Sequence, residues 1–141
     1  MTTIHTCMVN AIPKKLNLMS WNATGIFSGA SYLCDCLHRK QIDVCGVSEH
    51  WLREIDLHFL DTLDSDYKCL SVSDKDLRIP NVCTVRKGGV ALLWHRRHDS
   101  RVAPLFLDDD RIVGMQFEIV YIHSFYHREM KLFLFCGRFG E

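Results

Sequence analysis

No stretch of this chain approaches the ~18 consecutive apolar residues needed to cross a bilayer. The opening MTTIHTCMVNAIPKK has no apolar core of signal-peptide length. Charge of one sign is missing too: 17 Lys and Arg stand against 17 Asp and Glu. The overall field therefore draws the chain to no polyanion, and a nucleic-acid partner has to be argued from a site. Seven cysteines are present, but the number is odd and they form no C-x-x-C pair. This argues against a disulfide framework and predicts free thiols in a reducing, intracellular setting. There is no internal repeat and no low-complexity tract. What is left is an ordinary soluble composition, 48% hydrophobic and 24% charged over 141 residues, enough for one core.

Residues 1–15 are polar, contain Pro13 and end in Lys14-Lys15, which predicts a flexible lead-in. LNLMSWN, Leu16 to Asn22, alternates as a strand does. In GASYLCDCLHRK, Ala30, Leu33, Cys34 and Leu37 recur at helical spacing, with Ser28 as the expected N-cap and Arg39-Lys40 suited to the C-terminus. Cys34 is then the core thiol and Cys36 the edge one. IDVCGVSE, Ile42 to about Glu49, is apolar enough for a strand buried on both faces. Strand, helix and strand within some thirty residues make a βαβ unit, with its two strands parallel.

A second helix is expected in REIDLHFLDTL, with Ile55, Phe59 and Leu63 on one side. DYKCLSVS reads as a strand and DKDLRIPNVCTVRK as a surface loop. From Gly88 onward the pattern turns to sheet: GGVALLWH, a short segment through Val102, RIVGMQFEIVYI and KLFLFC.

Parallel neighbours end side by side, and ligands of open α/β sheets bind beyond the carboxyl ends of strands. Asn22 ends the first strand and Glu49 the second. An amide carbonyl beside a carboxylate suits a hard cation, Mg²⁺ or Mn²⁺, that keeps its waters and takes phosphate oxygens as further ligands. The bland alternative is an asparagine serving its own turn and a solvated glutamate.

LNLMSWNATGI, then IDVCGVSEHWL about 25 residues later, then RKGGVALLWH and DDDRIVGMQFEI, resembles the opening of the endonuclease/exonuclease/phosphatase family. The likeness is greatest to the endonuclease domains attached to reverse transcriptases of non-LTR retrotransposons, and it covers roughly residues 16–135. It implies a two-sheet α/β sandwich of deoxyribonuclease type and a Mg²⁺- or Mn²⁺-dependent phosphodiesterase acting on DNA, with no membrane role. By the same resemblance Glu49 is the metal ligand, and Asn22 orients the metal or the phosphate. A phosphatase branch of the family would share this site. A non-enzymatic α/β interaction domain is the rival reading.

Members of that family continue into a Tyr-x-Pro-like turn, a G-D-F-N motif and a late Asp–His pair that activates water. None of these follows here. A full domain of this type runs to on the order of 220 residues. Residues 16–136 are therefore expected to be about its first half, 137–141 an atypical tail, and the chain alone inactive and poorly soluble, with sheet faces uncovered.

Several other groups carry lesser expectations. His95 and His98, or His123 and His127, with Cys83 or Cys136, are weak zinc candidates. Trp21 and Trp51 read as packing behind the strand ends. Arg96 and Arg97, near Arg86 and Lys87, form a local basic edge: a weak candidate contact to nucleic-acid phosphates, or a solvated cluster. The role of Arg111 is open, and Asp108 to Asp110 read as a solvated turn.

Overall fold

The computed structural model describes residues 2–7, 15–74, 88–123 and 126–137; for 2–7, 119–123 and 126–130 only the backbone pairing is used below. Among the described residues, eight strands form two mostly antiparallel sheets. The first, in spatial order, holds β1 (Thr2–Cys7), β2 (Leu16–Asn22), β3 (Val44–Ser48), β5 (Val90–His95) and β4 (Tyr67–Val72). The second holds β6 (Val102–Leu105), β7 (Ile112–His123) and β8 (Tyr126–Gly137). Among these pairings only β2–β3 is parallel, as a βαβ crossover requires.

Helix α1 (Ile26–Arg39) makes that crossover and lies on one face of the larger sheet. Ile26, Leu33, Cys36 and Leu37 are buried there against Met19, Cys45, Val47, Ala91 and Leu93. Each large aliphatic so buried contributes on the order of 1.5–3 kcal/mol. On the opposite face Leu16, Val44, Val90, Leu92 and Trp94 meet Val113, Met115, Phe117 and Cys136 of the smaller sheet. Both faces of β3 are thus covered, as its unbroken apolar run predicts. β7 alternates, with Val113, Met115 and Phe117 inward.

Several expectations need correction. The predicted lead-in contains a strand: Thr2–Cys7 pairs antiparallel with β2, from Thr2↔Trp21 to Cys7↔Leu16. Its composition, TTIHTC, is β-prone but barely apolar, so hydropathy alone passes over it. In α1 the thiols exchange roles: Cys36 is buried, while Cys34 lies at the flank with its thiol 3.4 Å from the Leu63 carbonyl. Ser28 is not the N-cap; the helix begins after Gly25 at φ +89°, and the Ser28 hydroxyl donates back to the Gly25 carbonyl.

The expected second helix is a 3₁₀ turn, Glu54–Asp56, followed by the single-turn α2, His58–Asp61. Asp56 accepts from Arg53 Nε at 2.7 Å and His58 Nδ1 bonds the Ile55 carbonyl at 3.0 Å, so local partners tighten the chain before a longer helix forms. Ile55 is 74% exposed; Leu60 is the buried anchor instead. The segment read as a surface loop lies outside the described residues apart from its first, Asp74, as do residues 138–141 of the expected tail. Gly137, assigned to that tail, pairs with Ile112 as the last residue of β8.

Cys34, Cys36, Cys45, Cys69 and Cys136 are free thiols. Burial pushes Cys69 up to about 12 and Cys136 up to about 11. Among the described residues no helix is long and apolar enough to cross a membrane.

Candidate metal centre

The parallel register runs from Leu18↔Val44 to Asn22↔Ser48, so Asn22 and Glu49 stand at adjacent strand ends. Backbone bonds continue past the strands: Ala23 N–H to the Ser48 carbonyl at 2.8 Å, Gly25 N–H to Glu49 at 2.9 Å and Ile26 N–H to His50 at 3.1 Å. On the other side of β3, Ser48↔Val90 and Val72↔Val90 bring the start of β5 and the end of β4 to the same rim. Trp51 N–H closes it by donating to the Gly88 carbonyl at 2.9 Å.

This rim concentrates unusual backbone. Thr24 (φ +46°), Glu49 (+57°) and Trp51 (+61°) lie here, together with Gly25, Gly88 and Gly89, all near +87°. Side-chain-bearing residues in this region cost on the order of 1–3 kcal/mol each, and such strain gathers at functional sites. It is held in place by packing. His50, between two of the strained residues, is fully buried; its Nε2–H donates to the Val72 carbonyl at 2.9 Å and its Nδ1 accepts from Leu52 N–H at 3.0 Å. Burial pushes its pKa below the usual histidine value, against the Val72 and Val90 carbonyls and the Glu49 charge. A neutral imidazole with both nitrogens engaged is a structural pin and not a proton acceptor.

Glu49 is half-buried, and its Oε2 accepts from the Trp51 indole at 2.8 Å and from the Gly88 amide at 3.0 Å. Asn22 is exposed; its Oδ1 accepts from Thr24 N–H at 3.1 Å and Thr24 Oγ1–H at 3.0 Å, closing a local turn. The sequence thus places both residues at one rim. It does not foresee that Trp51 and Gly88 hold the carboxylate. An acid two residues before an indole is a signal for such a bond only once the left-handed backbone of both is known.

Arg96 and Arg97 do not reach this rim. They follow β5 at the opposite end of the sheet, where Arg96 Nε donates to the Ser65 carbonyl and Arg97 donates to Asp43 Oδ1, each at 2.5 Å. Asp43 precedes β3 and Glu49 follows it, a separation of about 20 Å along an extended strand. Of the two candidate phosphate contacts, Arg97 is thus a partner of a buried aspartate and Arg96 a partner of the Ser65 carbonyl.

Asp43 is 5% exposed; it also accepts from His98 at 2.6 Å and from the Asn17 amide at 2.7 Å. Burial alone would raise its pKa. The hydrogen bonds from His98, Arg97 and Asn17 outweigh that and hold it at about 2. His98 is thereby committed to Asp43, while His95 Nδ1 accepts from Arg97 N–H at 3.1 Å. The pair converges on no shared point for zinc, and the side chains of His123 and His127 and the whole of Cys83 lie outside the described residues.

Elsewhere, His38, Asp64 and Asp66 come within 4.8 Å of one another. Asp64 faces Nε2 of the ring at 2.6 Å and Asp66 faces Nδ1 at 4.0 Å, two carboxylates about one imidazole. The aspartates before β7 form the expected turn: Asp109 accepts from Arg111 N–H at 2.8 Å, and Arg111 Nε lies 3.5 Å from it. Trp21 packs as expected, its ring filling the space above Gly29 of α1. No protein-family model matches the chain, and no curated protein matches it.

Proposed function

We propose that this chain carries the metal-binding rim of a divalent-metal-dependent phosphodiesterase of the endonuclease/exonuclease/phosphatase type, related to the DNA endonucleases of non-LTR retrotransposons. The observation that carries the reading is Glu49: a carboxylate on strained backbone at φ +57°, half-buried at the end of β3, beside the end of a parallel neighbour that terminates in Asn22. The donor set, a carboxylate and an amide carbonyl, fits Mg²⁺ or Mn²⁺. Glu49 would hold the ion, and Asn22 would turn its Oδ1 from Thr24 to the ion or its waters. Such an ion polarises a phosphate oxygen and stabilises the charge developing on the leaving oxygen.

The reading extends to binding the ion and a phosphate of DNA and stops short of hydrolysis by this chain alone. Attack by water needs a base, a contribution of about 10²–10⁴ in rate. His50, next to Glu49, has both ring nitrogens engaged.

One observation favours a second reading, a non-enzymatic interaction domain: the Asn22 carbonyl oxygen already serves the Thr24 turn. Titration with Mn²⁺ followed by electron paramagnetic resonance separates the two. Wild type is expected to bind at least 10-fold more tightly than Glu49→Ala, with circular dichroism unchanged. Equal weak binding in both favours the interaction domain and ends the metal reading.

A further inference from the structure

We infer that Trp51 is a positioning residue for the Glu49 carboxylate, setting the direction in which it meets a divalent cation. The inference rests on the metal reading above. A glutamate side chain left to itself loses rotamer freedom when it is fixed, so an unsupported ligand binds weakly. Here two donors from separate segments converge on one oxygen, the Trp51 indole at 2.8 Å and the Gly88 amide at 3.0 Å. Two bonds to Oε2 fix the position of that oxygen. Indole N–H can only donate, so its natural partner is an acceptor such as this carboxylate oxygen.

Trp51 is itself immobilised from three sides. Its amide donates to the Gly88 carbonyl at 2.9 Å, and its backbone sits at φ +61°. The ring edge lies against Gly25, where an added Cβ would stand 3.0 Å from Trp51 Cε3. One residue therefore links the turn after Asn22, the carboxylate of Glu49 and, through its backbone amide, the turn before β5. Ligand-orienting partners of this kind commonly change metal affinity by 10–100-fold.

Trp51→Phe keeps a ring against Gly25 and removes the N–H. We expect about 10-fold weaker Mn²⁺ binding in Trp51→Phe than in wild type, and no further loss when Trp51→Phe is added to Glu49→Gln. Equal affinity of Trp51→Phe and wild type overturns the inference alone. So does an equal loss in both backgrounds, which marks Trp51 as a merely structural residue. Wild type that binds Mn²⁺ no better than Glu49→Gln overturns the metal reading and the inference with it. A second measurement needs no Trp51 variant. The chain has three tryptophans, and Mg²⁺ should move the Trp51 indole ¹⁵N–¹H resonance in wild type and leave it unmoved in Glu49→Gln. A resonance that does not respond in wild type overturns the inference.

Discussion

Gly89 and His50 occupy the same space: a Cβ built on Gly89 would stand 2.2 Å from His50 Cε1 and 2.5 Å from its Nε2. The imidazole can lie flat over the start of β5, and bond the Val72 carbonyl at the end of β4, because position 89 has no side chain. The glycine pair thus does more than turn the chain, since it seats the pin that holds Glu49 and Trp51 in their left-handed conformations.

Gly89→Ala should therefore be among the most damaging single substitutions in the protein. It combines φ +86°, which an L side chain resists by on the order of 1–2 kcal/mol, with an overlap against a fully buried ring. A loss of more than about 3 kcal/mol in a urea melt is expected, or failure to accumulate as soluble protein. A midpoint within experimental error of wild type would show that the His50 seat is not rigid.

The opposite rim predicts acid sensitivity. Asp43, held at about 2 by its three hydrogen-bond donors, lies below its unfolded value of about 3.9. A depressed carboxylate stabilises the fold above its unfolded pKa, and that stability is lost as pH falls from about 4 through about 2. The thermal midpoint should drop across this window and do so less steeply in Asp43→Asn, which no longer titrates there. At neutral pH Asp43→Ala should cost about 3 kcal/mol by stranding Arg97 and the Asn17 amide. A wild-type midpoint that stays flat between pH 4 and 2 would remove Asp43 as the cause.

The βαβ unit was legible in the sequence because its signals are strong and local. Leu33 and Leu37 mark a helix face, and Val44 to Val47 a strand buried on both sides. Together they set the parallel register that carries Asn22 and Glu49 to one rim. Three things were not legible, each for its own reason. β1 pairs through backbone groups that hydropathy does not register. Ile55 faces solvent because Arg53 bonds Asp56 and His58 bonds the Ile55 carbonyl in a tighter turn. Arg96 and Arg97 read as an open basic edge because their partners, the Ser65 carbonyl and Asp43, lie 31 and 54 residues away in sequence.

The end of α1 provides a prediction whose sign differs from the usual rule that glycine weakens a helix. Gln41 lies just past the helix at φ +50°, with its N–H bonded to the His38 carbonyl at 3.1 Å and Ile42 N–H bonded to Leu37 at 2.9 Å. This is the paired-bond helix stop that favours glycine at the left-handed position. The Gln41 side chain is exposed and has no core role to lose. Its backbone amide and carbonyl survive substitution, including the carbonyl that accepts from the Asn17 side chain at 3.0 Å. Gln41→Gly therefore relieves a left-handed penalty of about 1–2 kcal/mol and loses part of that to the greater freedom of glycine in the unfolded chain. The net expectation is a gain of about 0.5–1 kcal/mol, read as a higher urea midpoint at unchanged slope. A lower midpoint would mean that the side chain of Gln41 makes a stabilising contact that outweighs the backbone strain.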